Sequence, residues 1–365
     1  MSELETEFSP DWAVLPGEIL QKELNARGLT QAELAARTNL STKHINQVIK
    51  GVASLSSDTA LRLERTLGIP SHFWNRLEAR YQDHRMRERA REDLARNTSW
   101  LNRFPLPELI ARNVLAKEDG DLARIEKLLT FFQVADPEAY DKVWTEPVAA
   151  GFRRAQHLNV DPYATAVWLR LGERAASSSE AEPYDAVGFS NVLPTLRELT
   201  RQPDGTAFRN LQRACAAVGV IVVFEPEIKG CRACGAARWM SATKAMILLS
   251  GRHQYHDIFW FSFFHEAAHL LLHPKRKTVV DLEGGDDADG QEGAANEYAA
   301  SMLIPAEYSH RLTRQTSVDE ARHIAHEIGV HPGVIAGRLG HRYGTWPRWA
   351  KLRRKLAGVP AVASQ

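Results

Sequence analysis

Cysteine is close to absent. Three thiols in 365 residues, Cys215, Cys231 and Cys234, are too few and odd in number for a disulfide framework, and they point to a reducing compartment. Long apolar runs are missing too. The most apolar stretch, Ile258 to Leu272, is about 15 residues long and is broken by His265, Glu266 and His269, short of the ~20 residues that a membrane span needs. Met1 to Pro10 carries Glu3, Glu5 and Glu7 and no apolar segment, so no secretory leader is read there. Nor does one sign of charge dominate: 46 Lys and Arg stand against 45 Asp and Glu. A net charge of +1 gives no global pull toward nucleic acid, although a local basic patch can still bind it. There is no internal repeat. The expectation is a cytoplasmic, soluble, folded chain without a membrane partner. At 44% hydrophobic and 25% charged residues, it is long enough for two or three domains.

Three textures follow one another. Residues 11–80 show short helical patterns with sharp punctuation. Residues 81–205 stay helical in period, through the charged run Asp83 to Arg96 and then Leu106–Leu115, Asp121–Phe132 and Pro162–Ala175, with a Ser/Ala/Glu-rich hinge at Ser177–Pro183. The run Asp83 to Arg96 reads as an exposed, salt-bridged helix. From about residue 206 to 345 the pattern changes. Val218–Phe224 and Ala245–Leu249 suit buried strands, and a long apolar helix is stopped by Pro274. Lys275–Gly293 is a Gly- and Asp-rich loop, and helical periodicity resumes from Gln291 to Leu303. The fold class expected is α+β and mainly helical: an all-α N-terminal domain over 11–80, a helical middle over 81–205, and an α+β domain over 206–345.

In the first region Thr30 and Glu33 form a capping box that opens a helix. Ser41 caps the next one, which runs from Thr42 to Lys50 and stops at Gly51. Leu34, Ala35, Ile45 and Ile49 are spaced to pack the two helices together. The outward face carries Thr42, Lys43, Asn46, Gln47 and Lys50, the amide and cationic side chains that read base edges and phosphates. Gln31 and Ser41, at the starts of the two helices, complete the expected DNA-binding set. Between Glu18 and Arg80 nine Lys and Arg face six Asp and Glu, a modest excess, so DNA binding calls for a homodimer. A small helical bundle for protein contact is the alternative. The stretch Pro16 to Arg80 resembles the lambda-repressor-like helix-turn-helix family. Pro16-Gly17-Glu18-Ile19-Leu20 and Leu67-Gly68-Ile69-Pro70-Ser71-His72-Phe73-Trp74 are similar to its HigA-type antitoxin subgroup. The resemblance implies a double-stranded operator as partner.

The second motif is His265-Glu266-Ala267-Ala268-His269. On an α-helix, positions i and i+4 share a face one turn apart, so two imidazoles can chelate one ion. Glu266 then projects beside them, placed to accept a proton from water. Two histidines and a glutamate on so apolar a helix need a partner. The third ligand is expected at Glu292, with Asn296 one turn on as a hydrogen-bond partner for a ligating imidazole. Glu297 and Glu283 are the competitors. Ala295 leaves room for the helices to approach. His273, ~12 Å along the helix from His265, cannot share the ion and is expected to support a ligating imidazole or to serve the helix C-terminus.

Phe261 to His273 and Glu292 to Pro305 resemble the ImmA/IrrE family of metallopeptidases, and the resemblance extends over about Ala207 to Arg342. It departs from the family pattern at Ala294, Tyr298 and Ile304, none of them a proposed ligand. The resemblance implies zinc held by His265, His269 and Glu292, with Glu266 as general base in peptide hydrolysis. It also implies a strand beside the cleft at Gly235–Trp239, and a helix-turn-helix repressor as substrate. His331, Arg338 and Tyr343 are candidates for an oxyanion donor.

Weaker signals have plainer readings. Cys231-Arg232-Ala233-Cys234 reads as small buried residues before a redox or metal pair completed by Cys215, His253 or His256. Asp257 is an N-cap or helix-dipole partner, with a contact behind the metal ligands as the alternative. Asp286, Asp287 and Asp289 lack the spacing of a calcium loop. The tail from Gly358 is frayed. The function expected is a DNA-binding regulator with a zinc endopeptidase domain that cuts a repressor or antitoxin-type protein. Self-cleavage would fall near 177–183 or after Arg80. A non-catalytic antitoxin, its zinc domain a sensor or scaffold for a toxin, is the alternative. The region 81–205 could dimerise the chain, link its ends or take a signal.

Overall fold

The computed structural model of the chain describes residues 12–145, 160–273, 279–282 and 290–361. The expectations at Met1–Pro10, Pro274, Glu283, Asp286, Asp287 and Asp289 lie outside the described residues. The chain is α+β and mainly helical. It divides into two compact units, Met1–Thr98 and Ser99–Gln365, where the sequence reading set three regions with joints after 80 and 205. The physical reasons are plain: one helix, Ser71–Ala95, runs through the first joint, and residues on both sides of the second, such as Phe189 and Leu193 with Phe208 and Leu211, pack into one core.

The first unit holds α1 (Pro16–Arg27), α2 (Gln31–Thr38), α3 (Thr42–Ile49), α4 (Ser57–Leu67) and α5 (Ser71–Ala95). Each boundary has a chemical cause. Thr30 and Glu33 make the capping box of α2 reciprocally, and Asn39 ends that helix in the left-handed region at φ 58°. Ser41 Oγ accepts from the His44 amide to open α3. Leu20, Leu24, Leu34, Ile45, Leu63 and Trp74 are wholly buried between the helices. Ile49 is half-buried against the same cluster. Gly17 is forced: a β-carbon there would run into the carbonyls of Val48 and Ile49, so α1 can rest directly on the end of α3. In α5 the charged run makes pairs such as Arg87–Asp83 at 2.9 Å and Arg96–Asp93 at 3.3 Å along an exposed helix.

In the second unit α6 (Leu106–Ala111), α7 (Asp121–Phe132) and α8 (Pro137–Tyr140) precede α9 (Pro162–Ser177), α10 (Ala186–Leu196) and α11 (Asp204–Ala216). Then come β1 (Val220–Phe224), β2 (Ala233–Ser241), β3 (Lys244–Leu249), α12 (His256–Leu272), β4 (Val279–Leu282) and α13 (Gln291–Leu303). The unit closes with α14 (Ala306–Ser309), α15 (Val318–Ile328), α16 (Pro332–Tyr343) and α17 (Trp346–Trp349). The strands form one sheet in the order β1-β3-β2-β4. β1 is parallel to β3, while β2 is antiparallel to both β3 and β4. β4 falls inside the span read as loop; four residues between turn-rich flanks gave no periodicity to read.

β1 is buried at every position, and β3 at all but Lys244, as strands covered by helices on both faces must be. Side chains alternate across the sheet. Ala237, Ala245, Ile247 and Leu249 join Phe259, Phe263 and Ala267 of α12 in the main core, while Leu248 and Arg238 face α9, where they meet Gly172 and Glu173. Phe104 packs on Tyr163 of α9 with ring centroids 4.9 Å apart, which ties the segment after residue 99 into this unit. The expected hinge at Ser177–Pro183 is pinned rather than loose. The Glu182 amide donates to Ala216 O and Lys244 Nζ to Ser179 O, at 2.9 and 2.7 Å.

The end of the chain is also tied down, beyond the boundary expected at 345. Trp349 is buried, Arg353 Nε donates to both oxygens of Asp257, and Tyr255 and Lys355 form an antiparallel bridge. Val359 still packs on the core, so order passes the expected fraying point at Gly358. This strap holds the base of α12. Tyr255, not Asp257, is the N-cap; Asp257 lies in the first turn, where a carboxylate favours the helix dipole.

Candidate functional site

α12 is buried on nearly all sides, and it carries the HExxH residues where α13 crosses it. Ala295 and Ala299 are wholly buried, which lets the two helices close together. The consequence is convergence: His265 Nε2 and His269 Nε2 stand 2.9 Å apart, and Glu292 of α13 reaches them with Oε2 at 3.1 Å from His265 and Oε1 at 3.6 Å from His269. Among the described residues this is the set of His, Cys, Asp and Glu side chains whose ligand atoms gather as a metal would require. Glu297 is exposed and outside it.

The outer nitrogens are held as well. His265 Nδ1 donates to Asn296 Oδ1 at 3.0 Å, which fixes the tautomer with the Nε2 lone pair turned inward. His269 Nδ1 lies 2.8 Å from His273 Nδ1. Burial pushes the Glu292 carboxyl up, but hydrogen bonds and charge from His265 and His269 outweigh it and hold the group well below the usual carboxylate range. Two imidazoles and an ionised carboxylate, with their outer atoms anchored, form a group that could hold a metal ion. Glu266 follows His265 on the helix and is wholly buried.

The oxyanion candidates fare differently. Tyr343 Oη donates to Leu312 O at 3.1 Å. His331 caps α16 through Gly333 N and lies 5.0 Å, ring to ring, from His256; His256 is nine residues before His265, about 13 Å along the helix. His331 therefore belongs to the base of α12. Burial, with His256 and Arg354 beside it, lowers its pKa to about 4. Asp204 there accepts from Arg354 and the Ala357 amide and pairs with His256 Nδ1 at 2.7 Å, a network that sequence spacing could not reveal. Arg338 is exposed on α16. Cys231 is buried and its thiol pushed up to about 12 by burial, which suits an inert core residue; neither it nor Cys234 joins a group of metal-binding side chains among the described residues.

On α3, Thr42 and Lys43 are exposed and Asn46 and Gln47 half-buried, while Lys50, exposed, is the C-cap rather than part of the helix. Ser41 is occupied as the N-cap. Gln31 bridges helices: its Oε1 accepts from Asn46 Nδ2 at 3.1 Å and its Nε2 donates to Gln21 Oε1 at 3.2 Å.

A helix-turn-helix unit and a unit with two histidines and a carboxylate on crossing helices define the class: a DNA-binding-type protein that carries a metallopeptidase-like domain. Known proteins agree. Residues 20–74 match the helix-turn-helix family and residues 235–340 the IrrE N-terminal-like domain. The chain belongs to the helix-turn-helix family and joins to it an IrrE-like peptidase domain. Virulence-associated protein I of Dichelobacter nodosus is 34% identical over 83 residues, 22% of this chain and 76% of that protein. Among solved structures, an addiction module antidote protein of the HigA family from Coxiella burnetii is 27% identical, with a TM-score of 0.21, over 23% of this chain and 91% of its own. An antidote protein of a plasmid maintenance system from Nostoc punctiforme is 25% identical, with a TM-score of 0.23, over 23% and 92%. Among the described residues no helix is long and apolar enough to cross a membrane.

Proposed function

We propose that the chain is a dimeric, cytoplasmic, DNA-binding regulator whose second unit is a zinc-dependent endopeptidase acting on a repressor- or antitoxin-type protein. The observation that carries this reading is the convergence of His265, His269 and Glu292 beside Glu266 in a chain that also holds a helix-turn-helix. Bound zinc would supply Lewis-acid polarisation of the scissile carbonyl and acidify water. The protein's part is to aim two imidazoles, keep Glu292 ionised, and hold the Glu266 carboxylate where it takes a proton and returns it to the leaving amine. Thr42, Lys43, Asn46, Gln47 and Lys50 meet the operator, with Gln31 and Ser41 at the helix starts. Covalent linkage raises the effective concentration of peptidase at the promoter.

Cleavage in trans fits better than self-cleavage. The segment after Arg80 is helix, and Ser177–Pro183 is hydrogen-bonded in place, so either would have to unfold locally before a peptidase could take it as an extended strand. The test is zinc content of the full chain and of His269→Ala and Glu292→Ala, with cleavage of helix-turn-helix proteins from the same genome and Glu266→Gln as control. About one zinc per chain, lost in both ligand variants, with cleavage lost in Glu266→Gln, is expected. Cleavage that survives Glu266→Gln overturns the mechanism, and zinc without cleavage returns the chain to a non-catalytic antitoxin.

A further inference from the structure

Gly235 has no conformational reason to be glycine. It sits in β2 with strand partners on both sides, Leu249 of β3 and Asp281 of β4, and it is not among the residues with positive φ. Glycine inside a strand otherwise weakens it, and it marks a place where another group comes close. Here that group is Glu266. A β-carbon at 235 would lie 2.6 Å from Glu266 Oε1, 2.7 Å from Cγ and 3.0 Å from Cδ, all well inside the ~3.5–4.0 Å of normal packing.

Three parts could yield to such a side chain, and two are fixed. The β2 backbone is held by both neighbouring strands. α12 is packed through Phe263, Phe264, Ala267 and Ala268, all wholly buried. The Glu266 side chain is what remains to move. Resting on the proposed role of Glu266 in proton transfer, we propose that Gly235 is a positioning residue: its bare backbone is the floor on which the Glu266 carboxylate lies, and it sets that carboxylate's place beside His265. None of His265, His269 and Glu292 is among the atoms nearest a β-carbon at 235, all of which belong to Glu266.

The experiment is a thermal cycle on the full-length chain, metal-free, with Gly235→Ala, Glu266→Ala and the double variant, followed by zinc binding and cleavage of a proteome-derived peptide library. Gly235→Ala should lower Tm by several degrees in the parent, and by less than half as much once Glu266→Ala has removed the obstructing atoms. Its zinc affinity should stay within about threefold of the parent. Its cleavage rate should fall about 10²-fold or more, as for loss of a general base. An equal loss of Tm in both backgrounds overturns the proposal, because Gly235 would then serve the fold alone, and so does cleavage at the parent rate. If the parent cleaves nothing, the peptidase reading fails, while the thermal cycle still decides whether Gly235 seats Glu266.

Discussion

Replacing Asn296 by Ala removes one acceptor and leaves every ligand atom in place. Its Oδ1 holds the proton on His265 Nδ1, and His273 does the matching work at His269 Nδ1. Loss of such an outer partner typically weakens metal binding 10–100-fold, or about 1.4–2.7 kcal/mol. Asn296→Ala and His273→Ala should each fall in that range. Because they act on different imidazoles, their effects should multiply to about 10²–10⁴-fold in the double variant, a sum of near-independent terms. Asn296→Asp keeps an acceptor at the same atom and should restore affinity to the parent value or better, since a carboxylate makes the ligating imidazole more basic. Competition against a chromophoric zinc chelator at neutral pH reads the parent and all four variants. Parent affinity in Asn296→Ala would refute the reasoning, and so would a failure of Asn296→Asp to outperform Asn296→Ala.

The base of α12 gives a pH test. His331 titrates near 4 when folded against about 6.5 unfolded, so between these values the unfolded chain binds the extra proton. Its contribution is complete above 6.5 and is lost as pH falls toward 4; after allowance for partial exposure it is about 1–2 kcal/mol. Metal-free His331→Asn, which keeps a capping acceptor, should lose less Tm than the parent between pH 7.5 and 4.5; equal losses would remove the argument. In the first unit, Thr30→Ala deletes the capping box of α2 and should destabilise by about 0.5–2 kcal/mol, read as a fall in that unit's calorimetric transition, with an unchanged transition as the contrary result. On selected operator duplexes, Lys50→Ala should weaken binding evenly across sequences and reduce the salt slope by about one. Asn46→Ala should instead relax preference at one base pair by about 1–3 kcal/mol; the reverse pattern would exchange their roles.

What the sequence made legible was local. The i, i+4 spacing of His265 and His269, and the turn from Glu292 to Asn296, encode the cluster of two imidazoles and a carboxylate because both sit on regular helices. The caps at Thr30 and Ser41 and the bounds of α7 and α13 follow from residues within a few positions of each end. What escaped was non-local. β4 is defined by pairing with β2 some 45 residues earlier, and its own four residues carry no pattern. Residues 81–205 read as a separate helical region because nothing in their period shows that Tyr163 or Gly172 abuts another segment. The strap fell outside the domain boundary read at 345, yet Trp349 and Leu352 are core residues and Arg353 and Arg354 neutralise buried carboxylates. Gly235 was one small residue among several.

The partition of the chain sets an order of birth. The helix-turn-helix unit is complete by Thr98, whereas Arg354, 150 residues after its partner Asp204, must be made before the base of α12 is locked. At typical rates of synthesis those roughly 250 residues take some 10–50 s, and domains fold as they emerge. A nascent chain thus carries a finished helix-turn-helix unit well before it can carry a finished metallopeptidase-like domain. A ribosome stalled in that interval would release a helix-turn-helix fragment with no second unit attached.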